Sequence, residues 1–307
     1  MSVRIWCNHP IAEQDRRRLS ELGSDALFVE KLEDADVAFG QPKPEQCLQC
    51  ASLRWVHLSS AGWDKFERPD VRAHFAKGVA LTNSSGVYRE PCAQHVLGLL
   101  LAEARQLGRS FAHQATDHAW PKLETRAACR LLAPGVTVAL VGYGSIAGRV
   151  AELLAPFGVE VVGVRRAPNG REPVQMLPFS QLAGALARAD HVVNILPGGA
   201  PTERAFGADQ FAAIKPGAVF YNIGRGSTVD QPALVEALLR SQLRAAYLDV
   251  TDPEPLPPDH PLWRVPGCFI TPHSAGGHAN EDERLIAHFA ANLRRYLIGE
   301  ALLDRVF

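Results

Sequence analysis

Short runs of β-branched and aromatic residues alternate with helical patterns along the whole chain. VRIWC at 3–7, DVAFG at 36–40, WVHL at 55–58 and VALT at 79–82 read as strands, with a polar amphipathic stretch at 11–22 after the first. The segment REPCAQHVLGLLLAEAR, 89–105, is apolar on most of its circumference, which predicts a helix buried between two layers. It is expected to end a first α/β domain. A polar, tryptophan-bearing connection follows at 107–130, and a second series then opens with strands at 136–141, 159–164, 191–195, 218–222, 245–248 and 268–271. Helices at 145–157, 179–187 and 231–240 separate several of these, as parallel strands require. Both halves read as doubly wound parallel sheets. A last helix at 279–298 is expected to pack back on the first domain, because a six-strand unit is already complete by residue 271. Two domains also suit a length of 307 residues, more than one core usually organises.

Composition narrows the class of partner. Lys plus Arg number 32 against 33 for Asp plus Glu, so the chain has no basic field to attract nucleic acid or an anionic membrane, and a small molecule is the expected partner. The start, MSVRIWCNHP, lacks a charged leader with an apolar core, and no apolar run reaches the roughly 18–20 residues of a membrane span, which predicts a cytoplasmic protein. Six cysteines are too sparse for a disulfide framework. Cys47 and Cys50 form a lone CxxC with no second pair, so they are read as structural helix cysteines and no metal is expected. The sequon at Asn83-Ser84-Ser85 carries no weight without secretion.

The chemistry is concentrated at strand ends. Gly142-Tyr143-Gly144-Ser145-Ile146-Ala147 follows a strand and opens a helix, the context in which a GxGxx(G/A) pattern binds a dinucleotide. Gly142 permits the sharp turn, Gly144 lets backbone approach a pyrophosphate, Ala147 keeps helix and strand close, and the helix N-terminus offers unpaired N–H groups. The next strand ends not in the carboxylate that binds a free ribose 2′-hydroxyl but in Arg165, followed by Arg166. A guanidinium binds a 2′-phosphate that a carboxylate repels, so NADP(H) is expected over NAD(H). Three more strand ends lead into 222–226, 249–255 and 272–276, bringing a cation, a carboxylate and an imidazole to one rim. Hydride transfer to a 2-keto acid needs that set: a cation for the carboxylate and carbonyl, a proton donor for the developing alkoxide, and an anion that keeps the donor protonated.

With these words in view the chain resembles the D-isomer-specific 2-hydroxyacid dehydrogenases over nearly its whole length. The matching segments are LTNSSGVYREPCAQHVLGLLLA at 81–102, GYGSIAGRVAELLAPFGVEVVGV at 142–164, ILPGGAPT at 195–202, NIGRGSTVD at 222–230, LDVTDPEPLPPDHPLW at 248–263 and TPHSAG at 271–276. The resemblance implies a flavodoxin-like substrate domain of residues 1–104 and 276–307 and a Rossmann domain of 105–275. It implies that His273 is the acid/base, that Glu254 pairs with it, and that Arg225 binds the substrate carboxylate and keto oxygen. It further implies that Ala61 and Gly62 cradle that carboxylate, and that Asp249 lies near the nicotinamide. The cofactor would be lined by Leu196, Pro197 and Thr202, by Ile223 and Gly224, and by His273, Ala275 and Gly276. A homodimer is implied too, with Trp120 in the connection that forms a dimer arm in relatives.

Departures from the family pattern shape the reading. Gly198-Gly199 stand where a larger residue and threonine are usual, which predicts a looser cofactor loop. Glu254 is retained where the formate dehydrogenase branch carries glutamine, so the chain looks like a keto-acid reductase, and arginine at the acidic position is similar to the NADP-preferring glyoxylate and hydroxypyruvate reductases. His278 and His288 have no comparable claim to catalysis, and Trp63 is a candidate wall of the substrate pocket. The alternative function is a dinucleotide-sensing regulator or corepressor with little turnover.

Overall fold

Two sheets, each with every strand parallel to its neighbours, organise the chain; the computed structural model describes residues 3–21 and 26–307. In chain order the first series is β1 (Val3–Cys7), α1 (Glu13–Glu21), β2 (Ala26–Val29), β3 (Val37–Gly40), α2 (Pro44–Gln49), β4 (Trp55–Leu58), α3 (Pro69–Phe75) and β5 (Ala80–Thr82). Its sheet order, β2-β1-β3-β4-β5, is the flavodoxin-like order. Then come α4 (Ser85–Ala104), α5 (Leu107–Ala115) and α6 (Lys122–Ala128). The second series is β6 (Thr137–Val141), α7 (Ser145–Leu154), β7 (Glu160–Arg165), β8 (Gln175–Pro178), α8 (Leu182–Leu186), β9 (His191–Asn194), α9 (Ala208–Ala213), β10 (Ala218–Asn222), α10 (Gln231–Leu239), β11 (Leu243–Leu248) and β12 (Cys268–Ile270), and α11 (Glu281–Ile298) ends the chain. The second sheet runs β12-β11-β10-β9-β6-β7-β8, a Rossmann order extended by one strand, with its switch point between β6 and β9. The chain divides into two compact units, Met1–Arg89 with Gly277–Phe307, and Glu90–Gly276.

The strands expected from hydrophobic runs are present, and two that were not expected, β2 and β8, lie at sheet edges. ALFV and QMLP are four residues each and only half-buried; ALFV is apolar throughout but short, and QMLP begins on a polar residue and ends on proline. The second sheet therefore has seven strands rather than six. The connection at 107–130 holds two helices, α5 and α6, on which no residue is buried, so no apolar face marked them against a core. The buried helix begins at Ser85 rather than 89, because Asn83 Oδ1 accepts the Ser85 N–H at 3.2 Å and the Ser84 carbonyl accepts from Val87 at 2.9 Å. Cys47 lies in α2 and Cys50 just beyond it; both are buried, and Cys50 Sγ donates to the Leu32 carbonyl at 3.1 Å.

The C-terminal helix packs on the first sheet as expected. Phe289 of α11 stacks on Phe39 of β3 with ring centroids 4.2 Å apart, and it and Leu293 are fully buried with Val3, Ile5, Val37 and Trp55. The core of the second unit is the β-branched and aromatic interior of β6, β7, β9, β10 and β11 with α8, α9 and α10 against it.

Each unit also buries a histidine. His57 in β4 shares its Nδ1 with Thr82 Oγ1 at 2.6 Å, and burial pushes its pKa down to about 3. His191 in β9 meets the Tyr221 hydroxyl at 3.0 Å, and burial followed by the Arg244 charge pushes it down to about 4. A histidine whose folded pKa is depressed binds its proton more readily when unfolded, so stability is full above pH 6.5 and declines as pH falls toward the folded value. Each should remove up to ~1.4 kcal/mol per pH unit across that window. Urea titrations at pH 7 and pH 5 should show this decline, and His191→Gln should flatten it by one proton's worth; equal midpoints for the wild type at both pH values would refute the assignment.

Candidate active site

The Gly142–Ala147 loop is built by close packing of backbones. All five residues of β6 are buried, and at its end Gly142 takes φ +96°, with its N–H and that of Tyr143 both donated to the Val164 carbonyl of β7 at 2.9 and 3.0 Å. A Cβ on Gly142 would lie 2.7 Å from the carbonyl carbon of Ile195, so only glycine serves there. Gly144 caps α7, and a Cβ there would meet nothing within 4 Å. The N–H groups of Ser145, Ile146 and Ala147 open the helix over that free space, and Ala147 is fully buried against the sheet. A pyrophosphate fits this cradle.

Neighbouring loops are tied to the same rim. Asn194 Oδ1 accepts the Leu196 N–H at 3.1 Å, and its amide donates to Asn222 Oδ1 at 3.0 Å and Thr228 Oγ1 at 2.7 Å. Ile223 N–H is donated to the Asn194 carbonyl and Gly224 N–H to Asn222 Oδ1, both at 3.1 Å. The expected looseness at Gly198-Gly199 is not what the structure has: Thr202 Oγ1 donates to the carbonyls of Pro197 at 2.6 Å and Gly199 at 3.1 Å, closing the loop.

β10, β11 and β12 are adjacent, and from their ends come Arg225, Glu254 and His273. His273 Nδ1 meets Glu254 Oε2 at 2.8 Å, and Glu254 Oε1 accepts the Thr251 N–H at 3.0 Å, so the carboxylate is anchored by one oxygen and faces the ring with the other. The Arg225 carbonyl accepts from Asn222 Nδ2 at 3.1 Å and Thr228 Oγ1 at 2.6 Å, while its Nη1 donates to the Gly224 carbonyl at 2.7 Å. Gly226 makes this loop a neighbour of the Glu254 loop, because a Cβ on it would overlap the Thr251 carbonyl at 1.9 Å. The three strand-end loops thus form one packed rim.

Asp249 plays a larger part in this rim than its sequence context indicated. Its Oδ1 accepts Thr271 Oγ1 at 2.6 Å and the Ser274 N–H at 2.9 Å, its Oδ2 accepts the Ala275 N–H at 3.0 Å, and its carbonyl accepts the His273 N–H at 2.8 Å. The fan encloses His273, which sits at φ +50°, and runs on to the half-buried Gly276. His95 of α4 completes the group, with Nε2 3.3 Å from Thr271 Oγ1, and its pKa is lowered by burial against the opposing Asp249 charge. His95 and Thr271 lie inside the matching words 81–102 and 271–276 but had no assigned role.

The remaining expected residues are placed as follows. Ala61 and Gly62 follow β4 in the first unit, their carbonyls taken by Asn83 Nδ2 at 2.7 Å and Ser60 Oγ at 2.6 Å. Among the described residues neither of their N–H groups has an acceptor. The Trp63 ring packs edge-on to Phe307 and lies under the Arg72 guanidinium, 5.3 Å from its centroid. Arg165 ends β7 and pairs with Glu172 at 3.1 Å, a partner no motif announced, while Arg166 is exposed. Among the described residues no group of His, Cys, Asp and Glu side chains could hold a metal ion, and no helix is long and apolar enough to cross a membrane.

Comparison with known proteins agrees with this geometry. Residues 97–275 match the family model described as D-isomer specific 2-hydroxyacid dehydrogenase, NAD binding domain. The chain is 32% identical to a D-3-phosphoglycerate dehydrogenase of Mycobacterium bovis over 98% of its own length, but spans only 54% of that longer protein. It is 31% identical to a glyoxylate reductase/hydroxypyruvate reductase of Mus musculus, covering 82% of this chain and 76% of the other. Among solved structures it resembles a D-isomer specific 2-hydroxyacid dehydrogenase from Xanthobacter autotrophicus Py2, solved with NADPH and MES, with TM-score 0.84, 26% identity, and 100% and 98% of the two chains covered.

Removing the Asp249 side chain leaves the Ser274 and Ala275 amides without their acceptor, a cost of about 1–3 kcal/mol at the buried Ala275 and less at the exposed Ser274. Asp249→Ala should therefore speed amide exchange over residues 272–276 by tenfold or more, on the order expected of that loss, and leave exchange in β10 and β11 unchanged. Hydrogen-exchange mass spectrometry reads this directly, and unaltered protection at Ser274 and Ala275 would remove Asp249 from its holding role.

Proposed function

The chain belongs to the D-isomer specific 2-hydroxyacid dehydrogenases, NAD(P)-dependent oxidoreductases, and from that premise we propose that it reduces a small 2-keto acid of the glyoxylate or hydroxypyruvate kind, with NADPH preferred over NADH. The observation that carries the reading is the 2.8 Å contact of His273 Nδ1 with Glu254 Oε2 on the packed rim that also bears Arg225. The Gly142–Ala147 loop would hold the pyrophosphate of the dinucleotide, whose reduced nicotinamide would supply the hydride for the keto carbon. The protein's own residues do the rest. Arg225 holds the substrate carboxylate and polarises the keto oxygen. Glu254 keeps the proton of His273 on Nδ1, so that Nε2 of the imidazolium is the atom that gives a proton to the developing alkoxide. In the reverse direction the neutral ring takes that proton back.

NADP(H) is favoured by what stands at the end of β7. Arg165 and Arg166 offer two guanidinium groups where a carboxylate would select a free ribose, and the Xanthobacter relative was solved with NADPH. A second copy of the chain is the expected macromolecular partner: Phe111 and Trp120, the latter 89% exposed, line a groove of about 710 Å³ on α5, α6 and the turn between them, apolar surface that a partner would cover. The six cysteines, all free, fit a reducing cytoplasm.

His273→Gln should lower kcat by roughly 100- to 10,000-fold, the usual contribution of a general acid, and leave NADPH affinity by fluorescence titration nearly intact. A variant that turns over glyoxylate or hydroxypyruvate normally removes His273 from the chemistry, and a wild type that binds NADPH yet reduces none of a panel of 2-keto acids is a sensor instead. Arg165→Asp should reverse the preference for NADPH over NADH; an unchanged ratio of the two kcat/KM values rules out the phosphate clamp.

A further inference from the structure

Seven residues after β7 ends, the chain returns a carboxylate to Arg165. Glu172 Oε1 accepts from Arg165 Nη1 and from the Asn169 N–H, both at 3.1 Å, and Asn169 Oδ1 in turn accepts the Arg171 N–H at 2.9 Å, so the turn is fastened on itself. The Glu172 side chain is only 6% exposed, although Arg171 and Pro173 on either side are exposed. Its second oxygen, Oε2, is buried without a hydrogen-bond partner, and so is the hydroxyl of Tyr143 from the phosphate-binding loop. The Tyr143 ring lies over β7 where Gly163 leaves room for it: a Cβ there would come within 2.6 Å of its Cδ2. Burial first, and then the Glu172 charge, raise the Tyr143 phenol pKa.

This arrangement is more than a loop brace. The backbone N–H of Asn169 would be satisfied by any side-chain oxygen, whereas a buried carboxylate that uses one of its two oxygens leaves acceptor capacity idle at a real cost. What an ionised carboxylate adds over an amide is its pairing with Arg165, the guanidinium assigned above to the 2′-phosphate. A phosphate approaching that guanidinium must take Glu172's place or sit beside its negative charge; a cofactor with a free 2′-hydroxyl leaves the pair undisturbed. Arg166 is exposed and forms no ion pair among the described residues, so it is available to the phosphate from the outset. We propose that Glu172 is a built-in competitor for the 2′-phosphate of NADP(H), holding Arg165 until phosphate displaces it and thereby setting how far NADPH is preferred over NADH. The idle Tyr143 hydroxyl is a donor that the displaced carboxylate can take up. The inference rests on the phosphate-clamp reading of Arg165 and Arg166.

The test uses the full-length protein and two probes, 2′,5′-ADP and 5′-ADP, titrated by calorimetry, together with kcat/KM for NADPH and NADH. Glu172→Gln keeps an acceptor for Asn169 but removes the charge. It should tighten 2′,5′-ADP and raise the NADPH to NADH ratio by about tenfold, the worth of one charge-assisted contact, with 5′-ADP affinity unchanged. Glu172→Ala, which offers Arg165 no acceptor at all, should move both readouts the same way. Arg165→Ala should weaken 2′,5′-ADP. If Arg165→Ala does so while both Glu172 variants leave the ratio and the affinity where they were, the competitor is overturned and the clamp stands. If 2′,5′-ADP binding is indifferent to Arg165 as well, the clamp fails and the competitor with it.

Discussion

Asp249 is the fixed point of the candidate active site. Its side chain is 1% exposed, and its two oxygens receive three donors, all from the loop that carries His273. A hydrogen bond to a charged group contributes about 1.5–3 kcal/mol, so three of them exceed the roughly 1–2 kcal/mol that a non-glycine residue pays to stay in the left-handed region. That difference is what keeps His273 at φ +50°. The ring then needs no help from substrate to face Glu254. A backbone conformation that is unfavourable by itself becomes the ground state because a buried carboxylate has nowhere else to send its lone pairs.

Close backbone approach does for the loops what Asp249 does for the imidazole. Parallel strands end with their carboxyl termini on one side, and at the switch point between β6 and β9 the connections leave in opposite directions. Gly142 brings the β6 loop against Ile195 after β9, and Gly226 brings the Arg225 loop against Thr251 after β11. Side chains at these positions would separate the loops by a van der Waals diameter. The Gly142–Ala147 loop, the Arg225 loop and the loop of Glu254 keep their close contacts because Cβ atoms are missing at Gly142 and Gly226.

Much of this was legible in the letters. Hydrophobic runs located the central strands because a strand buried on both faces has to be apolar throughout, and Gly142, Arg225, Glu254 and His273 could be placed on the rim because each directly follows such a run or lies within the loop after it. Edge strands β2 and β8 were not legible, since each is a half-exposed run of only four residues, and α5 and α6 bury nothing. At the site, the roles of Asp249 and Glu172 stayed hidden for another reason. Both act through hydrogen bonds that depend on how a loop folds back, Asp249 on residues 22 to 26 positions away and Glu172 on one seven positions away, and no spacing rule encodes those returns.

Water sets the strength of the His273–Glu254 pair. His273 and Glu254 have side chains 54% and 38% exposed, and a pair so wetted is worth less than about 1 kcal/mol. By itself it orients the ring and fixes which nitrogen carries the proton, without holding a charge firmly. A ligand resting on the rim would exclude that water, and the same two atoms would then interact at a much lower effective dielectric. Exposure of the two side chains thus leaves the strength of the pair to whatever covers the rim.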